Sequence, residues 1–157
     1  MIKPGAIEEL SAMVADWNSI VVIADKNTYA VCGEAVIAQL GDKLESKIVF
    51  ECDGFLVPNE NAIEKAQALL SDKTDLIIGI GAGVIQDLAK YVSFYASLPY
   101  FIVATAPSMD GYASVGATMY TTSPLRCCAR QRTWVQSFSD GMQRLCRYLW
   151  KLLLVLA

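Results

Sequence analysis

Short apolar runs alternate with stretches of helical spacing along most of this chain. Apolar runs of four to eight residues that are rich in β-branched side chains are typical of buried parallel strands. They predict four strands, at residues 19–24, 47–51, 76–80 and 100–105. Apolar residues at intervals of three and four predict four helices, at 7–17, at 29–40, from Asn59 or Asn61 to Leu70, and at 84–95. This alternation predicts an α/β fold, with a mostly parallel sheet and helices on both faces.

The chain turns sharply between the strand at 76–80 and the helix that follows it. Glycines stand at 79, 81 and 83 of this turn. A glycine turn between a strand and a helix gathers free backbone N–H groups at the positive end of the helix, which suits a pyrophosphate. We also expect Gly81 and Gly83 to leave out Cβ atoms that would hold a ligand away from the backbone. The turn predicts a Rossmann-like dinucleotide site; the alternative is a tight connection without a ligand.

Two further polar groups are expected at the same edge of the sheet. Pro99 ends the helix, and the strand at 100–105 runs into a polar loop at 106–112. Asp25 follows the first strand, where it could accept a hydrogen bond from a cofactor ribose or cap the next helix. Ligands of open α/β sheets bind outside the carboxyl ends of the strands, so the turn, the loop and Asp25 belong to one candidate site.

Composition narrows the class of protein. Hydrophobic residues make up 54% of the 157 residues, which is enough for one domain with a buried core. The net charge of −3 gives no broad basic field, so nucleic acid is not an expected partner. No apolar run approaches the ~20 residues of a membrane span, and no targeting segment is visible at the start. Five irregularly spaced cysteines favour reduced thiols and a cytoplasmic protein.

The composition changes near Met119. All seven basic residues of 1–117 are lysines, whereas five of the six in 118–157 are arginines. Acidic residues fall from fifteen to one, Asp140. Three of the five cysteines and two of the three tryptophans also lie in 118–157. The tail therefore differs in kind from the α/β part of the chain.

Three interpretations of the tail compete. A nucleic-acid-binding arm would explain the arginines, but not the adjacent Cys127 and Cys128 or the apolar run 152–156. A zinc site needs four spaced Cys or His ligands, and the tail has three Cys and no His. Out-of-frame translation explains the arginine, cysteine and tryptophan together, and we prefer it. The prediction is a dinucleotide-binding α/β domain at 1–117 and an aberrant, poorly packed tail at 118–157.

Two motifs together carry a family resemblance. One is Gly81-x-Gly83-x-x-x-Asp87-x-x-Lys90, and the other is the run Thr-Ala-Pro-Ser-Met-Asp-Gly-Tyr-Ala-Ser-Val-Gly at 105–116. Over 1–117 the chain resembles the sn-glycerol-1-phosphate dehydrogenases, a branch of the superfamily of iron-type alcohol dehydrogenases, glycerol dehydrogenases and dehydroquinate synthases. The first eight residues of the run select this branch over glycerol dehydrogenase or dehydroquinate synthase.

The resemblance implies a reaction and a set of site residues. The reaction is the NAD- or NADP-dependent reduction of dihydroxyacetone phosphate to sn-glycerol-1-phosphate. The catalytic and substrate-binding residue is Asp110, for which the alternative is a simple turn. The implied cofactor-binding residues are Asp25, Gly81, Gly83, Val84, Ile85, Gln86, Asp87, Thr105, Ala106, Pro107, Ser108 and Ser114. The alternative interpretation of Asp87 is an exposed first-turn acid that forms a surface pair with Lys90, worth only ~0.2–0.5 kcal/mol.

One part of that machinery is missing from the sequence. In the family a divalent metal, usually zinc, polarises the substrate carbonyl, and its ligands are an aspartate and two histidines of a second, all-helical domain. This chain has no histidine, so no metal ligand is carried over. The resemblance therefore implies a truncated form without activity; the alternative is a nucleotide-binding module without catalysis. It leaves open the choice of NAD or NADP and the oligomeric state.

Overall fold

A computed structural model describes residues 5–52, 54–106 and 117–120, and the backbone of 152–154. Within these residues the chain forms a five-stranded sheet in the order β2-β1-β3-β4-β5, and every neighbouring pair is parallel. The strands are β1 (Ile20–Asp25), β2 (Leu44–Phe50), β3 (Leu76–Gly81), β4 (Tyr100–Ala104) and β5 (Leu152–Leu154). The predicted parallel α/β sheet is confirmed, and β5, which lies in the predicted tail, is a fifth strand beyond the four predicted.

Helices cover both faces of this sheet. A 3₁₀ turn at Ala6–Glu9 leads into the helices, which are α1 (Leu10–Met13), α2 (Lys26–Leu40), α3 (Glu60–Gln67) and α4 (Gly83–Ala96); a second 3₁₀ turn spans Gly41–Lys43. One core lies between α1, α2 and one face of the sheet, and a second lies between α3, α4 and the other face. The predicted placement of helices on both faces is confirmed.

The alternation of side chains along the central strands explains the two cores. In β1, Val22 faces α1 and α2 while Ile23 faces α3 and α4, and in β3 the same division holds for Ile78 and Ile77. All four side chains are fully buried. Both faces of a central parallel strand are covered, so these strands read as continuous apolar runs rather than as alternating ones.

Helix and strand boundaries differ from the predicted ones where local hydrogen bonds decide them. α2 begins at Lys26 rather than at residue 29, because Asp25 and Thr28 form a capping box. α3 ends at Gln67, short of the predicted Leu70, because the chain tightens there into three-residue turns. The predicted helix at 7–17 divides into a 3₁₀ turn and the single turn α1. β2 begins at Leu44, three residues before the predicted start.

Glu45 joins three strands near their amino-terminal ends. Its carboxylate accepts hydrogen bonds from Ser19 Oγ (2.6 Å), Thr74 Oγ1 (2.8 Å) and Ser71 Oγ. Ser19 precedes β1, and Ser71 and Thr74 precede β3, so one exposed carboxylate on β2 holds both neighbouring segments. These hydroxyl hydrogen bonds lower the pKa of Glu45, because they stabilise its charged form.

We expect this carboxylate to make stability depend on pH. A lowered folded pKa means that the contribution of Glu45 is present above its unfolded pKa and is lost as pH falls through the folded value. The urea midpoint should therefore fall between about pH 5 and about pH 3 more steeply in the parent than in Glu45→Gln. The exposed position limits the difference to well under ~1 kcal/mol. Glu64→Gln, an exposed site on α3, is the control; equal pH slopes in the parent and Glu45→Gln would contradict this role.

After β4, the chain returns to the α/β body at residues 117–120. Tyr120 N donates to Pro58 O (2.9 Å), and Tyr120 pairs with Asn59 in a parallel bridge. Met119 is buried in the core beside α3 and α4. Contacts with the body therefore continue to Tyr120, three residues into the predicted tail, and the backbone of β5, also within that tail, pairs with β4. The out-of-frame, poorly packed character of 118–157 stays a prediction, since 121–151 and 155–157 lie outside the described residues.

Among the described residues, every helix is too short or too polar to span a membrane.

Candidate functional site

Three parallel strands end side by side at the carboxyl edge of the sheet. Ala24 pairs with Ile80, and Gly81 pairs with Ala104, so β1, β3 and β4 finish at one level. Thr105 N donates to Gly81 O (3.3 Å) just beyond the last pair. The chain leaves β1 towards β2 on one side and returns to β3 on the other, which makes the gap between β1 and β3 the topological switch point. Open α/β sheets bind their ligands at such a point.

The first turn of α4 opens at this edge without a capping side chain. Ala82 is the N-cap residue, its backbone is extended, and it makes no side-chain cap hydrogen bond. Gln86 N donates to Ala82 O (3.0 Å). The backbone N–H groups of Gly83, Val84 and Ile85 come before this first helical hydrogen bond. A 14-residue helix thus presents N–H donors and its positive end at the switch point, as an anion would require.

Gly79 and Gly81 allow close packing of α4 and β4 against β3. A Cβ on Gly81 would lie 2.7 Å from Ile85 Cβ, and one on Gly79 would lie 2.7 Å from Ile102 Cδ1. Both missing side chains therefore make room for α4 and β4. The expectation that Gly81 clears space for a ligand is wrong, because its Cβ would point at the helix; close approach of helix and strand is the reason for glycine here.

We expect Gly81→Ala to destabilise the protein by ~1–3 kcal/mol through overpacking. The added methyl would meet the branched Cβ of Ile85, which α4 holds in place. Gly79→Ala is the matched comparison, because its nearest neighbour is the end of the flexible Ile102 side chain, which can turn away. Urea denaturation of both variants measures the difference. A larger loss in Gly79→Ala than in Gly81→Ala would contradict this account.

Asp25 lies at the candidate site and caps α2. Its Oδ1 accepts hydrogen bonds from Asn27 N and Thr28 N, both at 2.9 Å. Thr28 Oγ1 in turn accepts from Asp25 N (3.2 Å). The capping interpretation is confirmed, and the predicted contact with a cofactor ribose stays a prediction.

Asp87 and Lys90 form a largely buried pair on α4. Lys90 Nζ lies 3.7 Å from Asp87 Oδ1, and the two side chains are 4% and 22% exposed. The alternative of a surface pair is therefore wrong. Asp87 Oδ2 accepts a hydrogen bond from Thr118 N (3.0 Å), which ties the returning chain to α4. Local sequence patterns do not predict this bond, because it joins residues 31 positions apart.

Burial governs the electrostatics of this pair. It raises the pKa of Asp87, an effect that the Thr118 N–H and Lys90 oppose. It lowers the pKa of Lys90, and Asp87 opposes that change. Burial, together with the negative charge of Asp87, raises the pKa of Tyr100 to about 12. Each charge of the pair thus limits the cost of burying the other.

The remaining predicted site residues fall into three groups. Gly83, Val84, Thr105 and Ala106 are half-buried at the carboxyl edge. Ile85 and Gln86 are buried, so the Ile85 side chain belongs to the core and only its backbone faces the start of α4. The third group lies outside the described residues and comprises Pro107, Ser108, Asp110 and Ser114.

The residues present do not fit the catalytic metal of the resemblance. The sequence contains no histidine. Among the described residues, no group of three or more His, Cys, Asp or Glu side chains could hold a metal ion. The expected ligand set of one aspartate and two histidines is thus not supplied by this chain.

Comparisons with known proteins find relatives over most of this chain. Residues 1–130 match the family described as iron-containing alcohol dehydrogenase. A Bacillus velezensis protein named glycerol-1-phosphate dehydrogenase, NAD(P)+, is 34% identical over 125 residues, which are 76% of this chain and 32% of that protein. A protein of the same name from Halalkalibacterium halodurans is 35% identical over 103 residues, 62% of this chain and 26% of its own length.

A solved structure shares the fold. The crystal structure of glycerol dehydrogenase from Schizosaccharomyces pombe superposes with a TM-score of 0.62 at 28% identity, covering 76% of this chain and 30% of that one. The chain therefore spans between a quarter and a third of the length of these relatives.

Proposed function

We propose that this chain, which belongs to the iron-containing alcohol dehydrogenase family, binds a nicotinamide dinucleotide at the first turn of α4. The observation that carries the proposal is the uncapped start of α4 at the switch point between β1 and β3. The pyrophosphate would accept hydrogen bonds from the N–H groups of Gly83, Val84 and Ile85. Relatives whose names include NAD(P)+ support this choice of ligand.

The other parts of the cofactor would lie on either side of this turn. Asp87 would accept a hydrogen bond from a ribose hydroxyl. Thr105 and Ala106, which follow β4 beside Gly81, would line the nicotinamide side. Asp25 and Gln86 stay in the proposed cofactor set, which Pro107, Ser108 and Ser114 complete. These last three rest on the sequence resemblance alone.

The substrate we propose for the complete enzyme of this branch is dihydroxyacetone phosphate or sn-glycerol-1-phosphate. The names of the Bacillus and Halalkalibacterium relatives support it, as does the run at 105–112. Asp110 would contact the substrate. This chain would be the cofactor-binding part of such an enzyme without its turnover, since its sequence has no histidine and its described residues contain no group of side chains that could hold a metal ion.

We also propose that the chain divides at residue 117 into a dinucleotide-binding domain and a tail that is translated out of frame. The family match runs to residue 130 and therefore extends into the proposed tail. The nucleotide sequence from codon 118 onward tests the division. An open frame in another phase that encodes histidines would support the proposal. An intact gene that reads through 118–157 without a shift would contradict it.

A fluorescence titration of the purified chain with NADH tests the cofactor site. We expect saturable binding that ADP and inorganic pyrophosphate displace, since both carry the group that the α4 turn would hold. Parallel titration with NADPH decides between the two dinucleotides. No saturable binding of either, by a chain shown to be folded by circular dichroism, would contradict the proposal.

A further inference from the structure

We infer that Lys90 is a positioning residue of this site: its buried ammonium holds the Asp87 carboxylate charged and oriented, and Asp87 fastens the Thr118 amide to α4. The part of this inference that concerns the cofactor rests on the proposed function. The part that concerns Thr118 stands on the contacts of the chain itself.

The burial of Lys90 requires a specific partner. Its side chain is 4% exposed and lies within a buried stretch of α4 that runs from Leu88 to Ser93. A lysine is almost never buried this far unless it is paired, because its ammonium loses its hydration. The Asp87 carboxylate, 3.7 Å away, supplies the opposite charge.

The two oxygens of Asp87 have different partners, which fixes the rotation of the carboxylate. Oδ1 faces Lys90 Nζ, and Oδ2 accepts the hydrogen bond from Thr118 N at 3.0 Å. Hydrogen bonds to an ionised acceptor are about twice as strong as neutral ones, so the bond to Thr118 depends on the charge of Asp87. Lys90 favours that charge.

This pair lies beside the proposed cofactor turn. Asp87 follows Gly83 by four residues, which is about 6 Å along the helix axis. Thr105 leaves β4 bonded to Gly81, and Thr118 returns bonded to Asp87. Both stretches of chain are thus fastened to the first turns of α4, one through the backbone and one through Asp87.

Few other groups affect the charge of Asp87. Among the described residues, Lys90 faces it from α4 and opposes the effect of burial on its pKa. Tyr100 on β4 lies near enough for the charge of Asp87 to raise the pKa of the tyrosine. The face that α3 turns towards the core is apolar, with Ala62, Ile63 and Ala66. The returning segment contributes the Thr118 N–H. Loss of Lys90 would therefore leave Asp87 in a less polar environment, and its pKa would rise further.

Hydrogen exchange at the Thr118 amide tests the first part without any cofactor. We expect Lys90→Met to speed this exchange by at least about tenfold, because that factor corresponds to the loss of one hydrogen bond to a charged group. Lys90→Arg, which keeps the charge, should retain most of the protection, and Lys65→Met on the exposed side of α3 should change nothing. The Ile78 amide in β3 reports global stability in each variant. Unchanged protection of Thr118 in a folded Lys90→Met would overturn the inference.

If Lys90→Met does not fold, a pH titration of the parent protein tests whether Thr118 N bonds to a charged Asp87. The Thr118 amide resonance should shift with a single acid step as Asp87 protonates, at a pH above the ordinary aspartate value of about 3.9. A Thr118 amide that does not respond between about pH 7 and about pH 3, while the Ile78 amide stays protected, would overturn the bond to a charged Asp87.

NADH binding tests the second part through its pH profile. As the pH is lowered from neutral, NADH affinity should begin to fall at a higher pH in Lys90→Met than in the parent, and Lys90→Arg should restore the parent profile. A role in stability alone would lower the affinity of Lys90→Met equally at every pH, which would overturn the link to the cofactor. Absence of NADH binding by the parent would refute the proposed function, whereas the Thr118 measurements decide the role of Lys90 on their own.

Discussion

Gly83→Val should weaken NADH binding by about tenfold to a hundredfold, the effect expected when one hydrogen bond to a charged group is lost. Gly83 is the first residue of α4, where the ligand would meet the backbone. A β-branched side chain there would fill the space that the pyrophosphate needs. Gly83 is not among the glycines with a positive φ, so valine meets no backbone strain and the variant should fold.

The control for this variant is Ala35→Val. It adds the same branched side chain at an exposed position of α2, remote from the glycine turn. We expect it to bind NADH as the parent does. Equal NADH affinity in Gly83→Val and the parent, both folded by circular dichroism, would place the cofactor elsewhere.

The glycine turn shows which part of such a site can be predicted from sequence. The strand, the turn and the helix follow from the apolar pattern, and the anion site follows from their order. The separate reasons for Gly81 and Gly83 do not, because the same residue type serves helix packing at Gly81 and is proposed to allow ligand approach at Gly83. Only the neighbour that a Cβ would meet, Ile85 for Gly81, separates the two.

The second large effect expected is the absence of turnover. The purified chain, supplied with zinc, NADH and dihydroxyacetone phosphate, should show no substrate-dependent loss of NADH absorbance. A catalytic zinc needs three converging protein ligands at ~2.0–2.2 Å, mostly imidazole or carboxylate. The chain has no imidazole, and 118–157 offers Asp140 as its single carboxylate.

A full-length relative, assayed in parallel, shows that the conditions allow the reaction. The B. velezensis protein suits this purpose, since the present chain covers 32% of it. Metal-dependent turnover by the present chain that is abolished in Asp110→Ala would refute the expectation. It would mean that residues 118–157 build a working second half of the site.

The burial of individual polar side chains is harder to predict from sequence than the strands are. Asp87 and Lys90 could be read from the sequence as a pair of helical neighbours, but not as a buried one. Their burial depends on the returning segment, in which Thr118 N bonds to Asp87 and Met119 enters the core. Local spacing carries no information about such a distant stretch of chain. The capping role of Asp25 can be predicted from the sequence, because a capping box is formed by residues three positions apart.

The position of β1 between β2 and β3 has a consequence for folding during synthesis. β1 is made first, yet its partner on one side is made long afterwards: Ser19, just before β1, bonds to Asp75, 56 residues later. Such distant pairing has to overcome the entropy of closing a long loop, which slows folding. Until residues 76–81 leave the ribosome, the apolar β1 has one edge unpaired and stays open to association with other nascent chains.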